Sequence, residues 1–256
     1  MRVFAYSCGW ITGALSGFFA GGEGTIRVPV PSFLIEHPKG RVVFDAGMHP
    51  QAGTDPEARL GVLSQFFDIE MGAGEDVASR LASLDVDASR VDHLILSHLH
   101  FDHAGGAALL PNANLLVQRR EWEAGAEDET AMRCGFAAHD YRLGHNLKLV
   151  DGEHDLFGDG RVVCLPTHGH TPGHQSLRLR LDDGREVILC ADACYLCRNM
   201  DEMTLPGTVY DADTMMVSLQ KLESLRRAGA TMIYGHDPQA WGALPQAPRD
   251  FAASSA

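Results

Sequence analysis

The chain has 256 residues, a formal net charge of −13, 45 % apolar and 21 % charged residues. That length and composition support a sizeable core, in one large α/β domain or two small ones. The acidic balance excludes nucleic acid and anionic membranes, which need clustered Lys and Arg, and leaves a neutral or hydrophobic small molecule as partner.

In chain order, Arg2 to Tyr6 reads as a first strand and the glycine-rich stretch from Gly9 to Gly24 as a loop. Val3 to Gly22 carries no charge, but Ser7, Gly9, Thr12, Gly13, Ser16 and Gly17 interrupt it. No run of ~18 apolar residues exists to span a membrane, and no clear cleavage signal follows, so a cytoplasmic location is expected. Ile26 to Glu36 and Val42 to Asp45, around the turn at Lys39-Gly40, predict a hairpin. Val77, Leu81 and Leu84 recur at helical spacing and predict a helix over Glu75–Leu84.

Val91 to Leu96 and Asn114 to Gln118 are strand candidates, followed by helix and loop over 119–146. Further strands are expected near Leu147–Val150, Arg161–Leu165, Gln175–Leu181 and Glu186–Cys190, with Asp183-Gly184 as a turn. Asp213 to Arg227 predicts a helix with Asp213 as N-cap, then Thr231 to Tyr234 a last strand. The tail beyond Pro238 reads as peripheral. Runs of strands followed by helices point to two sheets sandwiched by outer helices. The six cysteines lack a regular framework, and Cys194-x-x-Cys197 has no partner pair, so free thiols are the default.

Four polar clusters each sit just past the end of an apolar strand, where strand ends on one side of a sheet converge. The first, SHLHFDHAGG, packs His98, His100, Asp102 and His103 into six residues. Packing offers no reason to crowd three imidazoles and a carboxylate, and a metal does. In an extended segment His98 and His100 point the same way. The second cluster, THGHTPGHQS, offers His168, His170 and His174; the third offers Asp192; the fourth offers His236. One summation puts His98, His100 and His170 around one metal and Asp102, His103 and His236 around another, with Asp192 left as a bridge. Imidazole and carboxylate without thiolate suit Zn, Fe, Mn or Co. His37, His49, His93, His139, His145 and His154 stay outside this set. Trp10, Leu15, Phe18, Phe19, Phe66 and Phe67 read as core first, with a pocket lining as the alternative.

Taken together, HLHFDH, GHTPGHQS, ADACY and the late Gly-His-Asp resemble the metallo-β-lactamase superfamily. With PVPSFLIEHPKGRVVFDAG, they resemble its N-acyl-homoserine lactonase branch, enzymes that open quorum-sensing lactones. The resemblance spans Asp45 to Asp237 and implies an αβ/βα sandwich of two mixed β-sheets flanked by helices. It implies the same two ligand sets, with Asp192 bridging, and two divalent metal ions, zinc foremost. It adds Tyr195 as the phenol that contacts the substrate carbonyl and Asp45 as an acid orienting a ligand. One departure is visible: Thr167-His168-Gly169 stands where Thr-Pro-Gly is usual, so His168 rivals His170, and His174 is placed behind the ligands.

The implied chemistry is attack of hydroxide, supplied at neutral pH by the two metals, on the lactone carbonyl. Tyr195 steadies the oxyanion and Asp102 carries a proton to the departing alkoxide. The rivals are a glyoxalase-type thioesterase or a phosphodiesterase on the same scaffold, a mononuclear iron oxygenase, and a non-catalytic metal-binding protein. Acyl-chain preference is expected in the loops around residues 10–20 and 60–71, and the oligomeric state, homodimer included, stays open.

Overall fold

In the computed structural model, which describes residues 1–253, near-continuous apolar runs give most strands two buried faces. Twelve strands form among the described residues: β1 (Arg2–Ala14), β2 (Thr25–His37), β3 (Gly40–Phe44), β4 (Asp68–Glu70), β5 (His93–Ile95) and β6 (Asn114–Gln118) come first. They are followed by β7 (Leu147–Val150), β8 (His154–Asp155), β9 (Val162–Pro166), β10 (Gln175–Arg180), β11 (Glu186–Leu189) and β12 (Thr231–Ile233). One sheet has the order β4-β1-β2-β3-β5-β6-β7, the other β12-β11-β10-β9-β8. Both are mixed: β3, β5, β6 and β7 run parallel in the first, and β11 and β12 in the second.

Side chains two apart share a face, so neighbours in sequence join different cores. Phe44, Ile95, Leu116, Cys164, Leu177 and Leu189 pack between the sheets. Val43, Leu94 and Leu115 face the other way, onto the helical layer that includes Val77 and Leu81. On the second sheet Val163, Leu165 and Ile188 turn outward to meet Leu219 and Leu222 of the helix Ala212–Arg227. The result is the αβ/βα sandwich of two mixed sheets. Each fully buried Leu or Ile contributes roughly 1.5–3 kcal/mol.

Three expectations are corrected, and two strands are unanticipated. The stretch Gly9–Gly24 is not all loop, since β1 runs on to Ala14 and a short helix, Leu15–Phe18, follows. Pairing with β2 breaks between Ser7 and Trp10 and resumes at Trp10 opposite Pro29. Gly9, at φ 98°, absorbs that break, and Pro29 and Pro31 flank the bulge, where missing ladder donors cost least. The helix Ala212–Arg227 is capped by Asp211, whose side chain accepts from Thr214 N–H; Asp213 lies inside its first turn. The tail beyond Pro238 is not peripheral: Trp241 and Phe251 are buried in the inter-sheet core, and the Trp241 ring meets Phe33 edge-on at 6.0 Å. Finally, the short strands β4 and β8 carry too few residues for a visible period.

The segment after HLHFDH shows why HAGG ends in glycine. A Cβ on Gly106 would lie 2.2 Å from Ala46 O, while Gly106 N–H donates to Gly47 O at 2.9 Å. Two backbones touch there. Gly106→Ala is expected to destabilise the fold by about 1–3 kcal/mol, read as a lower urea midpoint at unchanged slope.

Candidate metal centre

Strand β5 ends at Ile95 and delivers Ser97 to His103 at its carboxyl end. His98 and His100 alternate with Leu99, which is fully buried in the helical-side core. A short helix, Phe101–Ala104, then turns Asp102 and His103 inward. The loop from β9 to β10 brings His170, the turn after β11 brings Asp192, and the loop after β12 brings His236. All but the half-buried His100 are buried.

These seven side chains meet in two groups. Ligand atoms of His98, His100, His170 and Asp192 lie within 4.8 Å of one another, as do those of Asp102, His103 and His236. His100 Nδ1 is 2.8 Å from His98 Nε2 and 3.1 Å from His170 Nε2. Asp102 Oδ2 lies 3.5 Å from His103 Nε2 and 3.6 Å from His236 Nε2. Asp192 stands between the groups. Its Oδ1 is 3.1 Å from His103 Nε2 and 3.3 Å from His236 Nε2, and its Oδ2 is 3.4 Å from His170 Nε2 and 3.7 Å from His98 Nε2.

The outer ring nitrogens are tied from behind. His100 Nε2 donates to Cys134 O, His236 Nδ1 to Pro29 O and His103 Nδ1 to Asp45 Oδ2, at 2.8, 2.8 and 2.9 Å. Because those partners only accept, each outer nitrogen carries a proton, and in the neutral ring the inner nitrogen has its lone pair toward the cluster. Asp45, at φ 58° just past β3, is itself held by Ser97 N–H at 2.7 Å. Burial holds His98 and His170 well below the usual histidine range, which keeps their lone pairs free. Burial works against ionisation of Asp192, but the surrounding imidazoles, His103 and His236 foremost, outweigh it and hold its carboxyl well below the usual range.

The donor set fits divalent metal ions. Asp192 Oδ1 and His103 Nε2 are among the buried side-chain atoms without a hydrogen-bond partner among the described residues, and both face the cluster. Cations between the rings would satisfy both.

Residues 25–236 match the metallo-beta-lactamase superfamily. The chain belongs to that superfamily. Among curated proteins of the superfamily, it is 35 % identical over 228 residues to the N-acyl homoserine lactonase AttM of Azorhizobium caulinodans, covering 87 % of each chain. It is 29 % identical over 214 residues to the N-acyl homoserine lactonase AiiA of Bacillus thuringiensis subsp. kurstaki, covering 83 % of this chain and 82 % of that one. Its metallo-beta-lactamase fold superposes with a TM-score of 0.87 on an N-acyl homoserine lactone hydrolase solved with N-hexanoyl-L-homoserine at its catalytic metal centre, at 24 % identity over 97 % of this chain and 98 % of that one.

The remaining residues fall into place around the cluster. His168 is turned away, with Nδ1 3.0 Å from His174 O, and stands outside both groups. Tyr195 is buried beside the cluster, its hydroxyl 3.4 Å from His170 Nδ1 and its ring 5.3 Å from both His236 and Phe18. Burial, with Asp192 and Asp102 nearby, pushes its phenol well above the ordinary range, so the hydroxyl keeps its proton at neutral pH and can donate a hydrogen bond. Of the apolar residues near the N-terminus, Phe18 and Phe19 are buried, whereas Phe66 is 65 % exposed. Sequence reasoning missed Glu121, which reads as one more charge in QRREWEAG but is fully buried behind the ligand loops.

His174 touches no metal group directly. Its Nδ1–H donates to Thr167 O at 3.0 Å and its Nε2 accepts Asp192 N–H at 3.1 Å, so it holds the backbone of the bridging candidate. Burial pushes this imidazole down to about 3 from the ordinary 6.5. A folded value below the unfolded one gives stability that is whole above pH 6.5 and is lost as pH falls towards 3. With chelator present, His174→Gln is therefore expected to flatten the loss of unfolding free energy from pH 7 to pH 5 by about 2 kcal/mol. Urea unfolding at the two pH values reads it, and parallel losses in both proteins would refute it.

Proposed function

We propose that this protein is an N-acyl-homoserine lactonase that opens the lactone ring to N-acyl-homoserine, with residues 1–256 acting as one domain. The observation that carries the proposal is the placement of Asp192, one oxygen toward each histidine group, beside the Tyr195 phenol. That this chain shares 35 % identity with an N-acyl homoserine lactonase over 87 % of its length supports the choice of substrate.

We assign His98, His100 and His170 to one ion, Asp102, His103 and His236 to the other, and Asp192 to both. Zinc is the first metal to test, since imidazole and carboxylate donors without thiolate suit it, with Fe, Mn and Co as alternatives. Bound there, such ions would lower the pKa of a coordinated water to about 7 and so make hydroxide available at neutral pH. The chain's own residues do the rest. As the lactone carbonyl carbon gains its new C–O bond, the Tyr195 hydroxyl donates to the carbonyl oxygen, where negative charge develops. The ring C–O bond then breaks, and Asp102 takes the proton from the newly added oxygen and passes it to the leaving alkoxide. Asp45 keeps the His103 ring aimed throughout. Carboxylate and alcohol result, with net release of one proton.

That proton is the test. A pH-indicator assay on short- and long-chain acyl-homoserine lactones is expected to show release that chelator abolishes and added metal restores. Release from a thioester or phosphodiester but from no lactone would favour the rival hydrolases, and one iron per chain would favour the oxygenase. The net charge of −13 supports a small uncharged substrate over nucleic acid. No helix among the described residues is long and apolar enough to cross a membrane. All six cysteines are free thiols, which supports a reducing, cytoplasmic setting.

A further inference from the structure

Glu121 is a fully buried carboxylate outside both groups of converging side chains. It lies in the first turn of the helix Arg119–Ala124, just after β6. Its Oε1 accepts Leu99 N–H at 3.1 Å. Its Oε2 accepts the Thr171 hydroxyl at 2.9 Å and Gly173 N–H at 2.7 Å. Leu99 sits between His98 and His100, and Thr171 follows His170. One carboxylate thus ties together two loops that come from different sheets and carry the three histidines of one group.

Burying a carboxylate is costly unless its lone pairs are satisfied, and here every named partner is a donor. The contact is also close: a Cβ on Gly173 would lie 2.2 Å from Glu121 N, so only glycine lets the loop reach the helix. Burial pushes the carboxyl up to about 7 against the pull of those three donors. A separate brace spans the same sheets. Gln118 Nε2 donates to Gln175 Oε1 at 2.9 Å, and Gln175 Nε2 donates to Leu96 O at 2.8 Å. The sheets therefore stay docked without Glu121, and its particular effect falls on the histidines.

We infer that Glu121 is a positioning residue that sets the spacing between the His98–His100 loop and the His170 loop, and through it the affinity and coordination geometry of that three-histidine site. The inference rests on the ligand assignment proposed above and not on the lactone substrate. In Glu121→Gln, one oxygen becomes an NH2 that faces either Leu99 N–H or the Thr171–Gly173 pair, so one loop loses its anchor. Thr171→Val removes a single donor and serves should the first variant fail to fold.

The test is metal binding by the full-length protein, titrated against a competing chelator, with the visible absorption of the Co(II)-substituted form as the geometric readout. Glu121→Gln is expected to weaken one of two ions by about 10- to 100-fold and to change the Co(II) spectrum. Thr171→Val should move both in the same direction by less. The metal-loaded unfolding midpoint of Glu121→Gln should fall further than its midpoint with chelator, because weaker binding stabilises less. Wild-type affinities and spectra in both variants would overturn the inference, as would equal midpoint losses with and without metal. A wild-type chain that takes up no metal would remove the ligand assignment and this inference together. Metal uptake without lactone hydrolysis would remove only the substrate.

Discussion

Asp192→Asn is expected to lower kcat/KM for acyl-homoserine lactones by at least about 100-fold and to leave fewer than two metal ions per chain. The wild-type carboxylate offers one oxygen to each histidine group, at 3.1–3.3 Å on one side and 3.4–3.7 Å on the other. An asparagine has a single carbonyl oxygen. Whichever way its amide turns, one group faces N–H bonds where it had a charged acceptor, and the negative charge between the groups is gone. His174, which holds the Asp192 backbone through its N–H, is untouched, so the side chain stays in place and the loss is one of charge and acceptor. Elemental analysis alongside initial rates is the check. Two ions per chain with a wild-type rate would show that Asp192 is no bridge.

Tyr195→Phe is expected to lower kcat/KM by about 100-fold while metal content stays at the wild-type value. The ring packs edge-on against Phe18 and lies against His170 and His236, contacts that phenylalanine keeps. Only the hydroxyl is lost. A donor that matters most when the carbonyl oxygen is negative should appear in kcat more than in KM. A substitution that raises KM alone would reassign the phenol to ground-state binding. An unchanged rate would remove Tyr195 from the chemistry.

Legibility in the sequence followed the distance between interacting residues. His98, His100, Asp102 and His103 are readable because a strand-end tetrad makes its own local pattern. Strand positions such as Leu94 and Ile95 are readable because period 2 assigns them to opposite faces before any partner is known. The second sheet's candidate ligands, His170, Asp192 and His236, stand out only through the habit they share of following an apolar strand. His170 and His168 are equivalent by composition and spacing. The structure separates them because His168 folds back onto His174 O while His170 turns toward His100.

Other features depend on contacts across long stretches of chain and leave no local mark. The segment from Gly9 to Ala14 is rich in glycine yet forms strand, because β2 is long enough to pair with it past a bulge. Trp241 and Phe251 look like tail residues until the gap between the sheets receives them. Asp211 and Asp213 are equally good caps in composition, and only the chain's entry angle lets Asp211 accept from Thr214 N–H.

The sequence alone therefore determined the layered α/β plan, the chemical kind of the centre and most of its donors, since periodicity and residue type act locally. Tertiary structure decided which donors come together, that Asp192 points one oxygen toward each histidine group, and that Glu121 lies between their loops. Those are relations between loops from separate sheets, set by how two apolar faces pack, and neighbouring residues do not encode them.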